Sequence, residues 1–534
     1  MSVLRKAALT IAAFLWLPFQ PAQADVLTYV GCAGQSAEYT LTFHGSIVLN
    51  WRFLDPGRPI KAQLTDAIRQ QLRYIEGHWH NSQKPGSEQA LVLSEDSLKI
   101  ENIKFRDSAY GFNLNIDNIE HPEFKLEEPY LERAVTLGNA QASDSAVRAE
   151  YTASVQTIAC APAGAEVRPT VKLALPLDPY LFYWLVAPAH RRPIRWRQSF
   201  FRVNPCADPE IADLPNPMAY WYFWNPAQSG VDADGKTFTC ASLLHQGKDF
   251  ITIDGNLTAR KAIKDQGGIF AFDRLPTNRP LRTTALWGII DPKAETLPVK
   301  KLSDTLNALA PPVRAHGINA ALKQLGFGPE RRSASEVDRG SMYFADFLRG
   351  LPEVFNITGI TTQVDRDTFL ADIKGKLGGS GRELILKISF GPTDVLSKPE
   401  PQHWNTLAAA LANDDIVLYN GHSGLGENTS IKSLTHATQK KPGAFNGPPY
   451  QIVAFLSCYS YSYFGSDLVT LRSKAPRKGV TDIVYTGIDF TSERGALGLL
   501  DFLDRSIQAK NPHSANFTAG HYLSARDFFI VKRY

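Results

Sequence analysis

Cys458 and His422 are the residues of this chain best suited to covalent chemistry. A thiolate attacks carbonyl carbon readily, and a nearby imidazole can activate the thiol and later protonate a leaving amine. Each residue follows an apolar run. DIVLYN (415–420) leads into GHSGLG, which contains His422, and QIVAFLS (451–457) leads directly into Cys458, 36 residues after the histidine. If the two runs are neighbouring strands, both side chains come to one rim. An oxyanion formed there needs backbone donors. Gly421, Gly424 and Gly426 allow close backbone approach, and the amide of Cys458 is a second candidate donor. Taken singly, Cys458 reads as a buried core residue and His422 as a hydrogen-bonded turn residue. Their matching positions favour a dyad.

Cysteine counting points the same way. The N-terminus carries Arg5 and Lys6, an apolar run (7–19) and the small-residue pattern Ala22-Gln23-Ala24, which reads as a secretory leader (1–24) cleaved before Asp25. The expected location is therefore outside the cytoplasm, in a periplasm or the extracellular space. In an oxidising compartment four of the five cysteines, Cys32, Cys160, Cys206 and Cys240, are expected to pair. Three connectivities are open, and Cys32 to Cys160 with Cys206 to Cys240 is preferred. Cys458 is left over.

These residues need elements to position them. Residues 25–168 read as a β-rich α+β module, with short alternating strands such as 39–51 and 98–105 around one amphipathic helix near 62–74. Residues 169–280 are dense in proline and aromatics, and YWYFWNP (220–226) fits a sandwich core better than a ligand groove. From 281 to 534 apolar runs alternate with helical stretches, the pattern of a mainly parallel sheet flanked by helices. Its expected strands are 283–290, 383–390, 415–420, 451–457 and 482–487. Its expected helices lie near 315–325, 342–351, 366–377, 404–412 and 495–509. In such sheets functional groups gather at the carboxyl edge of the strands, where both candidate residues fall.

The blocks NTLAAALANDDIVLYNGHSG and YQIVAFLSCYS, with histidine before cysteine, resemble the caspase, legumain, gingipain and clostripain superfamily of cysteine peptidases. The resemblance covers 281–534 and is most specific over 415–463. It implies a caspase-like α/β domain in which a Cys458 and His422 dyad cleaves peptide bonds of a protein or peptide substrate. Relatives usually have glycine directly after the histidine. Here Ser423 intervenes, so the oxyanion donor lies between the amides of Ser423 and Gly424. Asp489, Asp467 and Glu427 are candidates to line a pocket for a basic side chain. No cofactor is implied, although some relatives use calcium.

Other classes fit less well. GHSGLG approaches the serine-hydrolase elbow G-x-S-x-G with Ser423 as nucleophile, but Leu425 stands where glycine is required. A non-catalytic binding protein on a degenerate scaffold is the third reading. His78 and His80 lack a carboxylate or cysteine at ligand spacing, and GGSG (378–381) lacks the lysine of a phosphate loop. The 57 basic and 53 acidic residues leave +4, or +2 without Arg5 and Lys6, too little to imply nucleic acid. After leader removal no stretch is long enough to span a bilayer.

Overall fold

The computed structural model describes residues 25–30, 36–50, 60–76, 89–94, 97–106, 146–162, 164–177, 229–231, 235–239, 242, 246, 250–261, 270–290, 294–329, 337–393, 401–421, 435–436, 439, 447–457, 460, 480–486, 495–509 and 529–533. Among them, helices and strands are mixed, as α/β patterning requires, and no helix is long and apolar enough to cross a membrane.

β1 (Asp25–Val30) belongs to a large sheet built from the C-terminal half. The next strands are β2 (Ser36–Asn50), β3 (Ala90–Leu93), β4 (Lys99–Arg106), β5 (Ala146–Cys160) and β6 (Thr170–Pro176). With β9 (Phe250–Lys261) they form a six-stranded antiparallel sheet in the order β3-β5-β2-β9-β6, with β4 also on β5. Short β7 (Ser229–Val231) and β8 (Thr237–Thr239) pair with each other. Alternation in β2 buries Leu41 and Phe43 against Leu64, Ile68 and Leu72 of α1 (Ile60–Glu76), while His44 stays exposed. Gln71 of α1 is satisfied inside this core, accepting from the Tyr151 hydroxyl and donating to the carbonyls of Ser46 and Pro176. A Cβ at Gly45 would stand 2.3 Å from the Tyr151 ring, so only glycine leaves room for that tyrosine.

The pairing does not follow the composition boundary at 168. β6 and β9 come from the aromatic- and proline-rich stretch 169–280 yet complete the sheet centred on β2, and β1 joins the other sheet. Strand pairing links segments remote in sequence, which local composition does not report. The YWYFWNP stretch lies outside the described residues.

The large sheet has nine strands. Between β10 (Leu281–Gly288) and β13 (Glu383–Gly391) come α2 (Val299–Asn307), α3 (Ala315–Gln324), α4 (Arg339–Val354), β11 (Phe355–Asp365) and β12 (Thr368–Leu377). Then follow α5 (Gln402–Asn413), β14 (Ile416–Asn420), β15 (Tyr450–Leu456), β16 (Val480–Thr486), α6 (Gly495–Ala509) and β17 (Phe529–Arg533). The spatial order is β1-β17-β16-β15-β14-β10-β13-β12-β11. The five strands from β13 to β16 are mutually parallel, and the pairs outside them are antiparallel. The sheet is therefore mixed, with the expected parallel ladder as its centre.

One expected element is wrong. Residues 366–377 form a strand, not a helix: Arg366 and Asp367 turn at φ 49° and 59°, and β12 then pairs with β11 on one side and β13 on the other. Phe369, Leu370, Ile373 and Leu377 fit helical spacing, but from Ile373 to Leu377 burial alternates strictly with period two. Ladder bonds on both sides outweigh local propensity.

Both faces of the central strands are covered, so β14 and β15 are buried throughout. Ile416, Leu418, Ile452 and Ala454 share a core with Phe344 and Leu351 of α4 and Leu497 and Leu500 of α6. The opposite side chains, Val417, Tyr419, Val453 and Phe455, are equally buried, and the His403 ring of α5 meets Tyr419 edge-on at 6.4 Å. α4 starts tightly against the carboxyl end of β10. Asp338 accepts from the Ser341 amide (2.6 Å) and hydroxyl (2.7 Å) and from the Ile290 amide (2.7 Å). A Cβ at Gly340 would lie 2.0 Å from the Gly288 carbonyl oxygen.

Candidate functional site

Numbered by sequence, the parallel strands run 2-1-3-4-5, with β10 first and β13 second. The chain therefore leaves β10 toward β13 and later returns on its other side as β14. In open sheets the crevice at that reversal, outside the carboxyl ends, is where ligands bind. β14 is the strand on the far side of the reversal, and β15 is its hydrogen-bonded parallel neighbour.

The β14–β15 register pairs Ile416 with Ile452 and Asn420 with Leu456, an offset of 36 throughout, and the Gly421 amide continues it by donating to the Leu456 carbonyl at 3.3 Å. His422 and Cys458 are also 36 apart. In sequence, the two candidate residues thus follow equivalent positions on adjacent strands about 4.8 Å apart. His422, Ser423, Gly424, Glu427, Cys458, Asp467 and Asp489 lie outside the described residues.

The described residues next to this edge form a closed polar cluster that sequence reasoning did not single out. Ser457, Ser460 and Thr486 are all buried. The Thr486 hydroxyl donates to the Ser457 carbonyl, and the Ser460 hydroxyl donates to the Phe455 carbonyl at 2.8 Å while accepting from the Thr486 amide at 2.8 Å. The Ser460 amide donates to the Ser457 carbonyl at 3.3 Å. Two further atoms, Asn420 Oδ1 and Ser457 Oγ, are buried at the ends of β14 and β15 without a hydrogen-bond partner. Unsatisfied buried polar atoms are uncommon in folded proteins. The sequence signal was slight: SCYSY and the threonine closing DIVYT.

Behind the site, burial pulls His403 down to about 4, and neither ring nitrogen has a hydrogen-bond partner. An unfolded histidine titrates near 6.5. Between about pH 6.5 and 4 the unfolded chain takes up a proton that the folded chain refuses, so stability falls as pH falls through that window. The total is about 3 kcal/mol at 1.36 kcal/mol per unit. His403→Phe is therefore expected to equal or exceed the parent at pH 7 and to gain on it by about 3 kcal/mol at pH 4. Urea unfolding at both pH values measures this, and a difference that does not change with pH refutes it.

Of the expected disulfide residues, Cys160 is disulfide-bonded, and Cys32, Cys206 and Cys240 lie outside the described residues. Among the described residues no group of three His, Cys, Asp or Glu side chains could hold a metal. His78 and His80 lie outside them. The GGSG segment is the β12–β13 turn, and its amides are occupied: Asp504 of α6 accepts from Gly379 N (2.6 Å), Ser380 N (2.7 Å) and Ser380 Oγ (2.5 Å). A carboxylate of the protein fills the place an external anion would take. No family model, no curated protein and no solved structure matches the chain.

Proposed function

We propose that the domain built on the large sheet is a caspase-like cysteine endopeptidase acting outside the cytoplasm, with Cys458 as nucleophile and His422 as its base. The shared offset of 36 carries this reading: two residue types able to perform acyl transfer follow the carboxyl ends of adjacent parallel strands, the first of which borders the topological switch point. The Cys458 thiolate attacks the scissile carbonyl carbon, and the oxyanion is received by the Cys458 amide with that of Ser423 or Gly424. The imidazolium of His422 gives its proton to the leaving amine, and water then hydrolyses the thioester. A carboxylate at Asp489, Asp467 or Glu427 would select a basic side chain before the cut. The reading needs a free Cys458. In its support, Cys160 pairs in register with Ser36, only four residues from Cys32, so Cys32 is the nearest candidate partner for the Cys160 disulfide.

The test is labelling of the full, unreduced chain with a peptidyl acyloxymethyl ketone, followed by mass mapping and a peptide-library cleavage assay. One adduct at Cys458 is expected, with adduct and cleavage both lost in Cys458→Ala. Activity that survives Cys458→Ala but disappears in Ser423→Ala would instead indicate a serine hydrolase. No adduct and no cleavage would leave a binding scaffold.

A further inference from the structure

We infer that Thr486 and Ser460 act together as positioning residues for Cys458, a role that rests on the peptidase reading and adds to it. Thr486 ends β16, the parallel neighbour of β15, so it belongs to a different strand from the nucleophile. Its hydroxyl and amide reach Ser457 and Ser460, the residues that bracket Cys458 and Tyr459. The hydrogens are fully assigned. Thr486 Oγ1–H goes to the Ser457 carbonyl and Ser460 Oγ–H to the Phe455 carbonyl. The 3.1 Å approach of the two hydroxyl oxygens therefore needs no proton of its own. Each oxygen also accepts from a backbone amide: Ser460 Oγ from Thr486 N at 2.8 Å, and Thr486 Oγ1 from Ser460 N at 3.3 Å.

Such a cluster does more than end two strands. Ordinary strand ends meet water, whereas this one is dry, with Ser457, Ser460 and Thr486 all nearly inaccessible. Two hydroxyls fix the backbone on either side of a two-residue span. A nucleophile must be held to about half an ångström of its productive position for its attack geometry to survive. Serine and threonine serve here because each offers one donor and two acceptor sites in a small volume.

Thr486→Val keeps the shape and removes the hydroxyl, and Thr486→Ser keeps the hydroxyl. The prediction is that Thr486→Val lowers kcat about 10- to 100-fold with KM within about twofold, while Thr486→Ser stays within about threefold of the parent. Ser460→Ala should behave like Thr486→Val. The rate of Cys458 alkylation by iodoacetamide, which needs no docked peptide, should change little in any of them. A Thr486→Val protein that melts earlier but turns over peptide at the parental kcat overturns the inference and leaves the peptidase reading intact. A parent protein in which Cys458 takes no ketone label removes both.

Discussion

His422→Ala is expected to lower kcat by about 10³-fold, about 4 kcal/mol of transition-state stabilisation, with little change in KM. The variant keeps the thiol and the strand ends that present it, so peptide still docks. What it loses, in the proposed mechanism, is the group that takes the thiol proton and returns it to the leaving amine. A thiol without that partner ionises near pH 8.5. The residual rate of His422→Ala should therefore climb steadily from pH 6 to pH 9, where the parent levels off near neutrality. Adding imidazole to the assay should restore part of the rate in the variant and none in Cys458→Ala. A variant with parental kcat and an unchanged pH profile would remove His422 from the reaction and leave the matched offset on β14 and β15 without a chemical meaning.

Much of the large sheet is legible in the sequence because its central strands are buried on both faces. The runs 283–290, 383–390, 415–420, 451–457 and 482–487 coincide with β10, β13, β14, β15 and β16 to within three residues at either end. Four of the five expected helices are also present. The fifth became β12, because residues 366–377 satisfy two periodicities and only the neighbouring strands choose between them. The adjacency of β14 and β15, on which the dyad depends, could be posed from sequence only as a condition. The Ser460 and Thr486 cluster was illegible for a different reason. Hydroxyl side chains carry no periodic signal, and the two partners lie 26 residues apart, one past the end of β15 and one at the end of β16. The six-stranded sheet was obscured because β2 pairs with β5, 96 to 124 residues away, and with β9, more than 200 residues away.

Arg279→Met should be the most destabilising single change at the amino edge of the same sheet, costing about 4 kcal/mol. Asp415 has a fully buried side chain whose carboxylate accepts from the two terminal Arg279 guanidinium nitrogens, at 2.7 and 2.8 Å, and from the Arg282 amide at 2.9 Å. Hydrogen bonding to Asp415 raises the Arg279 guanidinium above its ordinary pKa. Removing the arginine strands a buried negative charge with one amide for company, next to Asp414, whose own carboxyl is already pushed up by burial. The reverse change is milder, since the Arg279 side chain is 34% exposed and can turn to water. The double variant Arg279→Met with Asp415→Asn removes the charge and keeps an acceptor for the Arg282 amide, and it should recover at least half of the loss. Unfolding followed by the buried Trp287 and Trp404 reports on this domain, and a double variant no more stable than Arg279→Met would disprove the charge argument. The clamp also reaches the site. The Asp415 amide donates to Arg282 and its carbonyl accepts from Ile452, both at 2.9 Å, so the pair locks the start of β14 between β10 and β15. A slip of one residue there would turn every β14 side chain to the opposite face and break the β14–β15 offset of 36 on which the proposed pairing of His422 with Cys458 rests.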